Sequence, residues 1–303
     1  MLTRALSHPT IAPPIWNGGP DTVFTDPLML RALAVAVLVG AAAPVVGTFL
    51  VQRRLALLGD GIGHIALTGV ALGWLVGSWM GLVPRDALAI PGAVIASVVG
   101  ATAIELIRAR GRTSGDLALA LLFYGGIASG ALVIKIAGGT NANLVAYLFG
   151  SISTVSTADV VTTAILAGLC LTVGLTVRSA LFAVSNDEEV ASAAGLPVRA
   201  LNVTLAALAA LTVTTAMRVV GLLLVSALMI VPVAIAQLIA KSFAGTMALA
   251  CIVAIAVSVM GLSLTYWYDL PPGATIVVLA FIGHGSVVAI RPLIAARRRR
   301  LAA

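Results

Sequence analysis

Charge is what this sequence has least of. Asp, Glu, Lys and Arg make up 10% of its 303 residues, where a soluble domain carries about 25%. With 60% hydrophobic residues and a mean hydropathy of +1.12, a soluble globule is excluded, because its surface could not hide so much apolar area. Strict apolar/polar alternation is lacking too, so the apolar runs read as membrane-spanning helices and not as barrel strands. There are only two cysteines, Cys170 and Cys251, each inside an apolar run. Without a CxxC or a Cys/His cluster they read as small buried hydrophobes. No phosphate-binding loop of the Walker type occurs, since Lys241-Ser242 has no glycines ahead of it; the chain itself is not expected to hydrolyse nucleotide. The spans lack a scattered Asp/Glu/Arg relay, which argues against a proton-coupled carrier. No constellation of catalytic residues appears, so a non-enzyme is expected.

The net charge is +7, yet the basic residues are spread over loop ends and not gathered on one face. That excludes nucleic acid as a partner and makes them orientation signals. Residues 1–26 are Pro-rich and contain no signal-peptide core; they read as a flexible extracytoplasmic arm. His8 stands there alone, as a stray polar residue. Residues 27–294 read as one transmembrane domain in membrane lipid, and 295–303 as a basic cytoplasmic tail. Spans are expected near Leu33–Val51 with a kink at Pro44, Leu55 or Ile62 to Val83, Ala87–Ile107, Leu117–Ile136, Asp159–Val177, Met247–Trp267 and Ala274–Ile290. Leu201–Ala240 is too long for a single span of roughly 20 residues, so two spans meeting at Arg218 are expected, the second containing Pro232. About nine helices result, with eight possible. With the N-terminus outside, thirteen of the 18 Lys and Arg fall inside: Arg53, Arg54, Arg108, Arg110, Arg112, Arg178, Arg199, Lys241, Arg291 and the run 297–300. This is the positive-inside bias, and it predicts a multi-pass protein of the plasma (inner) membrane with a cytoplasmic C-terminus.

Two polar stretches and three lone carboxylates interrupt this pattern. Gly138–Thr157 reads as a re-entrant or interfacial segment around Leu144–Phe149, followed by a loop. Ser185–Leu196, SNDEEVASAAGL, holds the one acidic cluster, Asp187, Glu188 and Glu189, at the start of a short helix that Gly195 ends; by itself it reads as a solvated helix. Glu105 is expected in a surface pair with Arg108, and Asp159 and Asp269 as solvated carboxylates at outer boundaries.

The stretch Gln52–Gly73, QRRLALLGDGIGHIALTGVALG, carries the chemistry. Asp60 and His64 are spaced i, i+4 and share one face of a helix. An ionisable pair in an apolar span is a functional-site hypothesis by default. Carboxylate oxygen and imidazole nitrogen suit zinc, manganese and ferrous iron. Two ligands leave a shell incomplete, and water or a symmetry-related second copy would supply the rest. A weak site suits transport, because the ion must leave again. Spacing alone equally supports a helix-start Asp and a His bonded to a neighbouring helix carbonyl, and leaves both open. Hydropathy puts Asp60 near the inner end of its span, shallower than a pathway ligand should lie. His284, between Gly283 and Gly285, reads as a polar packing contact or as a second pathway ligand.

These residues carry a family likeness. Pro44–Gly73, PVVGTFLVQRRLALLGDGIGHIALTGVALG, resembles the first signature of the zinc and manganese permeases of ABC importers. Asn143–Ser151, NLVAYLFGS, resembles their AYLFG block, Asp187–Pro197 with Arg199 their acidic cytoplasmic helix, and Val220–Lys241 with Tyr268–Gly273 and Thr275 their two later blocks. Together they cover roughly 33–291 in register. Tyr124 stands where relatives often have a small or polar residue, so no ligand role is carried onto it. The resemblance implies an all-α polytopic permease like those of type II ABC importers, working as a homodimer and holding no permanent cofactor. A cytoplasmic ATPase dimer would press on 185–196 as the coupling helix, through Asp187, Glu188, Glu189, Ala193 and Gly195. An extracytoplasmic metal-binding protein would deliver the cation to Asp60 and His64. Two alternatives remain at this point: a permease of the same architecture for an iron chelate, haem or cobalamin, and a secondary metal carrier that works alone.

Overall fold

The computed structural model describes residues 25–83, 87–109, 115–139, 145, 147–150, 155–217, 220–268 and 270–302. His8, Arg85, Leu144, Arg218 and Asp269 lie outside them, as does most of the N-terminal arm. The described elements are all helical: α1 Pro27–Gln52, α2 Leu58–Trp79, α3 Ala89–Ala109, α4 Gly115–Ile136, α5 Thr157–Thr176, α6 Arg178–Asn186, α7 Glu188–Ala193, α8 Val198–Ala216, α9 Leu222–Ile239, α10 Phe243–Tyr268 and α11 Pro272–Ala302.

Eight of these helices are long and apolar enough to cross a membrane. The shorter α9 is the remaining apolar helix and contains Pro232. α1 and α2 are largely buried. α3, α4, α5 and α11 turn outward exposed apolar side chains such as Ile95, Val99, Leu121, Leu132, Val161, Ile165, Phe281 and Ile282. An apolar exterior of this extent suits lipid and not water.

Local chemistry fixes the ends. Asp26 accepts hydrogen bonds from the amides of Leu28 and Met29, and Pro27 follows at the first helical position, so α1 is capped and pre-shaped. α1 continues through Pro44 as one element, and Thr48 donates to the Pro44 carbonyl at 2.6 Å. α5 opens on a capping box: Ser156 Oγ accepts from the Asp159 amide, and the Asp159 carboxylate accepts from the Ser156 amide. Asp159 is therefore buried and not a solvated loop carboxylate; its oxygen is needed by a backbone donor that helix geometry leaves unpaired. Glu105 is likewise buried within α3, not on the surface as expected. The two cysteines are free, Cys170 being buried.

One element departs from the sequence reading. Residues 178–186 form their own helix, α6, so the acidic helix is shorter than expected and stands between two corners. The described residues of the stretch read as re-entrant or interfacial, Val145 and Tyr147–Phe149, are helical. The stretch presses its backbone on Gly221 and Gly273, where an added Cβ would lie 2.4 Å from the Phe149 carbonyl carbon and 2.6 Å from the Phe149 carbonyl oxygen respectively. Only glycine admits such an approach, and it joins the α8–α9 break to the start of α11.

Candidate functional site

α2 is the helix around which the site is built. It packs on α3, α4, α8 and α9. Glycines bring these neighbours close: Gly69 and Gly92 face each other across α2 and α3, each with its missing Cβ position 2.3 Å from the other's carbonyl oxygen. Gly126 of α4 sits against His64 itself.

Asp60 lies in the first turn of α2, where its negative charge suits the positive end of the helix dipole. Its Oδ1 accepts a hydrogen bond from Ser226 Oγ of α9 at 3.2 Å. His64 lies one turn further on, 2% exposed, with its Nε2 3.9 Å from the same Asp60 oxygen. Its ring meets the Phe123 ring edge-on at 4.5 Å between centroids. Neither ring nitrogen of His64 has a hydrogen-bond partner among the described residues. The carbonyl partner that spacing left open for the imidazole is therefore not found among them. The neighbouring polar groups bond elsewhere: Thr68 Oγ1 reaches the Gly126 carbonyl at 3.0 Å and Ser129 Oγ at 2.9 Å. An unpartnered imidazole at this burial is costly to leave so, and is a rare arrangement in a native interior. Chemically, the site offers one free imidazole nitrogen beside a carboxylate that keeps lone pairs to spare.

Two contacts fix the start of α2 against α8. Arg53, before α2, reaches Asn202 near the start of α8. Gly63 packs on Val213, near the other end of α8, and on Leu222 at the start of α9. Along α8 the interval from Asn202 to Val213 is about 16 Å at about 1.5 Å per residue. The second turn of α2 is thus set well apart, along α8, from the level of the Arg53 contact.

His284 is half-buried on α11, where the adjoining Gly283 meets Ile235 of α9. It is not gathered with Asp60 and His64: no group of three or more His, Cys, Asp or Glu forms among the described residues. Ser226 is the member of the site that sequence reasoning did not single out. An apolar groove of about 680 Å³ between α2, α3 and α4 contains neither Asp60 nor His64, and its lining of Ile65, Leu72, Ile95 and Val99 suits lipid chains.

α7, which meets the α1–α2 corner through Glu188 and Arg53, is capped at both termini. Asp187 accepts from the amides of Glu189 and Val190 at 2.9 and 3.0 Å. Gly195 has φ +81°, and the amides of Gly195 and Leu196 return to the carbonyls of Ser192 and Ala191. This left-handed stop is one that glycine makes cheaply. Glu188, Glu189, Ala193 and Gly195 are exposed, and so is Val190, an apolar side chain 65% open on a polar corner.

Residues 25–288 match the family described as the ABC 3 transport family. The chain belongs to that family. Among its relatives, a protein of Halalkalibacterium halodurans named manganese transport system membrane protein MntC is 30% identical over 260 residues, 86% of each chain. The chelated iron transport system membrane protein YfeD of Yersinia pestis is 30% identical over 256 residues, 84% of this chain and 83% of its own. The structure titled PsaBC from Streptococcus pneumoniae in complex with Fab superposes with a TM-score of 0.77 at 30% identity, covering 88% of this chain and 93% of that one. The ABC 3 fold assigned from α1 to α11 is accordingly that of a multi-pass membrane permease.

Proposed function

We propose that this ABC 3 chain is the permease subunit of an ATP-driven importer for a divalent metal cation: zinc, manganese or ferrous iron. The observation that carries the reading is the buried, unpartnered imidazole of His64 beside the Asp60 carboxylate. A passing cation exchanges part of its water for this oxygen and nitrogen. Two donors hold it loosely, and a second copy across a two-fold axis doubles them. The names of the manganese and iron relatives agree with a metal cargo. A small hydrated ion fits the paired donors better than a chelate or haem, whose ligands are already filled.

The permease works as a homodimer in the plasma membrane, with the N-terminus outside. Two ATPase subunits hydrolyse ATP on the inner side against α7, and a metal-binding protein delivers cargo from outside. The test is uptake of zinc, manganese and iron, each under its own depletion, by cells carrying wild type or His64→Ala. Loss of uptake of one metal at unchanged protein level is expected. Equal uptake of all three would leave His64 a packing residue and reject the pathway.

A further inference from the structure

Arg53 is a permanently charged side chain held 5% exposed at the end of α1. A buried guanidinium is expensive unless its donors are matched by an anion and neutral acceptors. Here they are matched by groups from two other elements. Nη2 forms an ion pair with Glu188 Oε1, on α7. Nη1 donates to Asn202 Oδ1, on α8, at 2.9 Å. Asn202 Nδ2 closes the triangle by donating to the same Glu188 oxygen at 3.3 Å. Beside it, Gln52 Nε2 donates to Asn186 Oδ1 at 2.8 Å, which ties the end of α1 to the end of α6.

The position of this cluster in the chain is the point of interest. α7 packs on α6 and α8; its ion pair to the α1–α2 corner is the one made by Arg53. Immediately after Arg53 the chain turns sharply. Arg54 takes φ 58°, left-handed for a residue that is not glycine. The amide of Leu55 returns to the Leu50 carbonyl at 2.8 Å and that of Leu58 to the Leu55 carbonyl at 3.0 Å. α2 then begins, with Asp60 in its first turn. No slack segment separates the guanidinium from the carboxylate. The pair is also lopsided, since Glu188 is 48% exposed while Arg53 is covered. The cation is fixed to the bundle, and the anion rides on the helix that a partner can push.

We infer that Arg53 is a positioning residue that transmits movement of α7 to the start of α2, and so sets the placement of Asp60 and His64. The inference rests on the reading of α7 as the ATPase-facing helix. A guanidinium suits the task because its planar fork holds a carboxylate and an amide oxygen at once and keeps its charge at any working pH. A cation placed only for the dipole of α1 would serve equally well exposed to water.

The test uses the complete transporter, permease with its ATPase and binding protein, in liposomes. Manganese(II) and zinc(II) uptake and ATP hydrolysis are measured together. Arg53→Gln is expected to keep the complex assembled and hydrolysing ATP, while metal moved per ATP falls about tenfold. Arg53→Lys, which keeps the charge, is expected to recover part of that ratio, and exposed Arg54→Gln to leave it unchanged. Glu188→Gln removes the anion from the exposed side, without touching the buried one, and is expected to lower the ratio in the same direction should Arg53→Gln fold poorly. The double change Arg53→Gln with Glu188→Gln is expected to be no worse than the worse single one. An unaltered ratio in Arg53→Gln and Glu188→Gln, beside a wild type that pumps, overturns the inference alone. A parallel loss of assembly, hydrolysis and uptake in both also overturns it, reducing Arg53 to a structural clasp. A wild-type complex without ATP-driven uptake of either ion overturns the reading of the function, and the inference with it.

Discussion

Ser226 on α9 donates a hydrogen bond to Asp60 on α2, with 3.2 Å between Oγ and Oδ1. The bond joins the helix that carries both candidate ligands to the helix that follows the α8–α9 break. It also fixes which Asp60 oxygen turns towards His64, because Nε2 lies 3.9 Å from that same Oδ1.

Removing this hydroxyl should loosen the carboxylate without disturbing the fold. A hydrogen bond to a charged group contributes about 1.5–3 kcal/mol. Ser226→Ala is therefore expected to lower initial manganese uptake at limiting concentration about tenfold, with membrane protein level unchanged. Ser258→Ala is the matched comparison: that hydroxyl is fully buried with no partner among the described residues, and its loss should be neutral or slightly stabilising. Initial-rate uptake of radioactive manganese checks both. Equal rates for Ser226→Ala and wild type would remove Ser226 from the site.

The parts that follow from long-range composition were legible in the sequence, and the parts that depend on how helices meet were not. Continuous apolar runs place α2 to α5, α8 and α10 within a few residues, because lipid demands backbone pairing inside each segment, whereas α1 begins at Pro27, before Leu33, and α11 runs on to Ala302, past Ile290. The i, i+4 spacing placed Asp60 and His64 on one face. Serine in an apolar helix is commonplace, so the alcohol at Ser226 in the Val220–Lys241 block carries no role that the sequence assigns. α6 is too short for its periodicity to be read. Asp159 did carry a signal, since Ser156-Thr157-Ala158-Asp159 has the spacing of a capping box, and it was outweighed by its place at a span boundary.

Gly126 offers a test of how tightly α4 fixes His64. A Cβ there would lie 2.7 Å from the His64 carbonyl carbon and 2.9 Å from its Cβ, whereas one at Gly125 would meet nothing within 4 Å. Overpacking of this kind destabilises by about 1–3 kcal/mol. Gly126→Ala is expected to lower the melting temperature in detergent and to depress uptake, because α2 must move away from α4. Gly125→Ala, on an exposed face of the same helix, is expected to match wild type in both. Identical behaviour of the two variants would show that the α2–α4 contact yields freely and does not hold the imidazole in place.

Asp187 separates the shape of α7 from its charge. Its carboxylate accepts from the Glu189 and Val190 amides, so Asp187→Ala should fray the first turn and withdraw the exposed Val190 from its place. Loss of an N-cap costs about 1 kcal/mol, which corresponds to roughly a fivefold loss of correctly formed helix. Asparagine caps as well as aspartate does but is neutral. Co-purification of the ATPase with each permease variant, together with ATP-driven uptake, is the measurement. Asp187→Ala is expected to reduce both about fivefold, while Asp187→Asn stays within about a factor of two. The opposite ranking, with Asp187→Asn as damaging as Asp187→Ala, would mean that the negative charge itself meets the partner and that capping is incidental. Glu188 and Glu189, beyond the cap on the exposed face of α7, would then belong to the same electrostatic contact as Asp187.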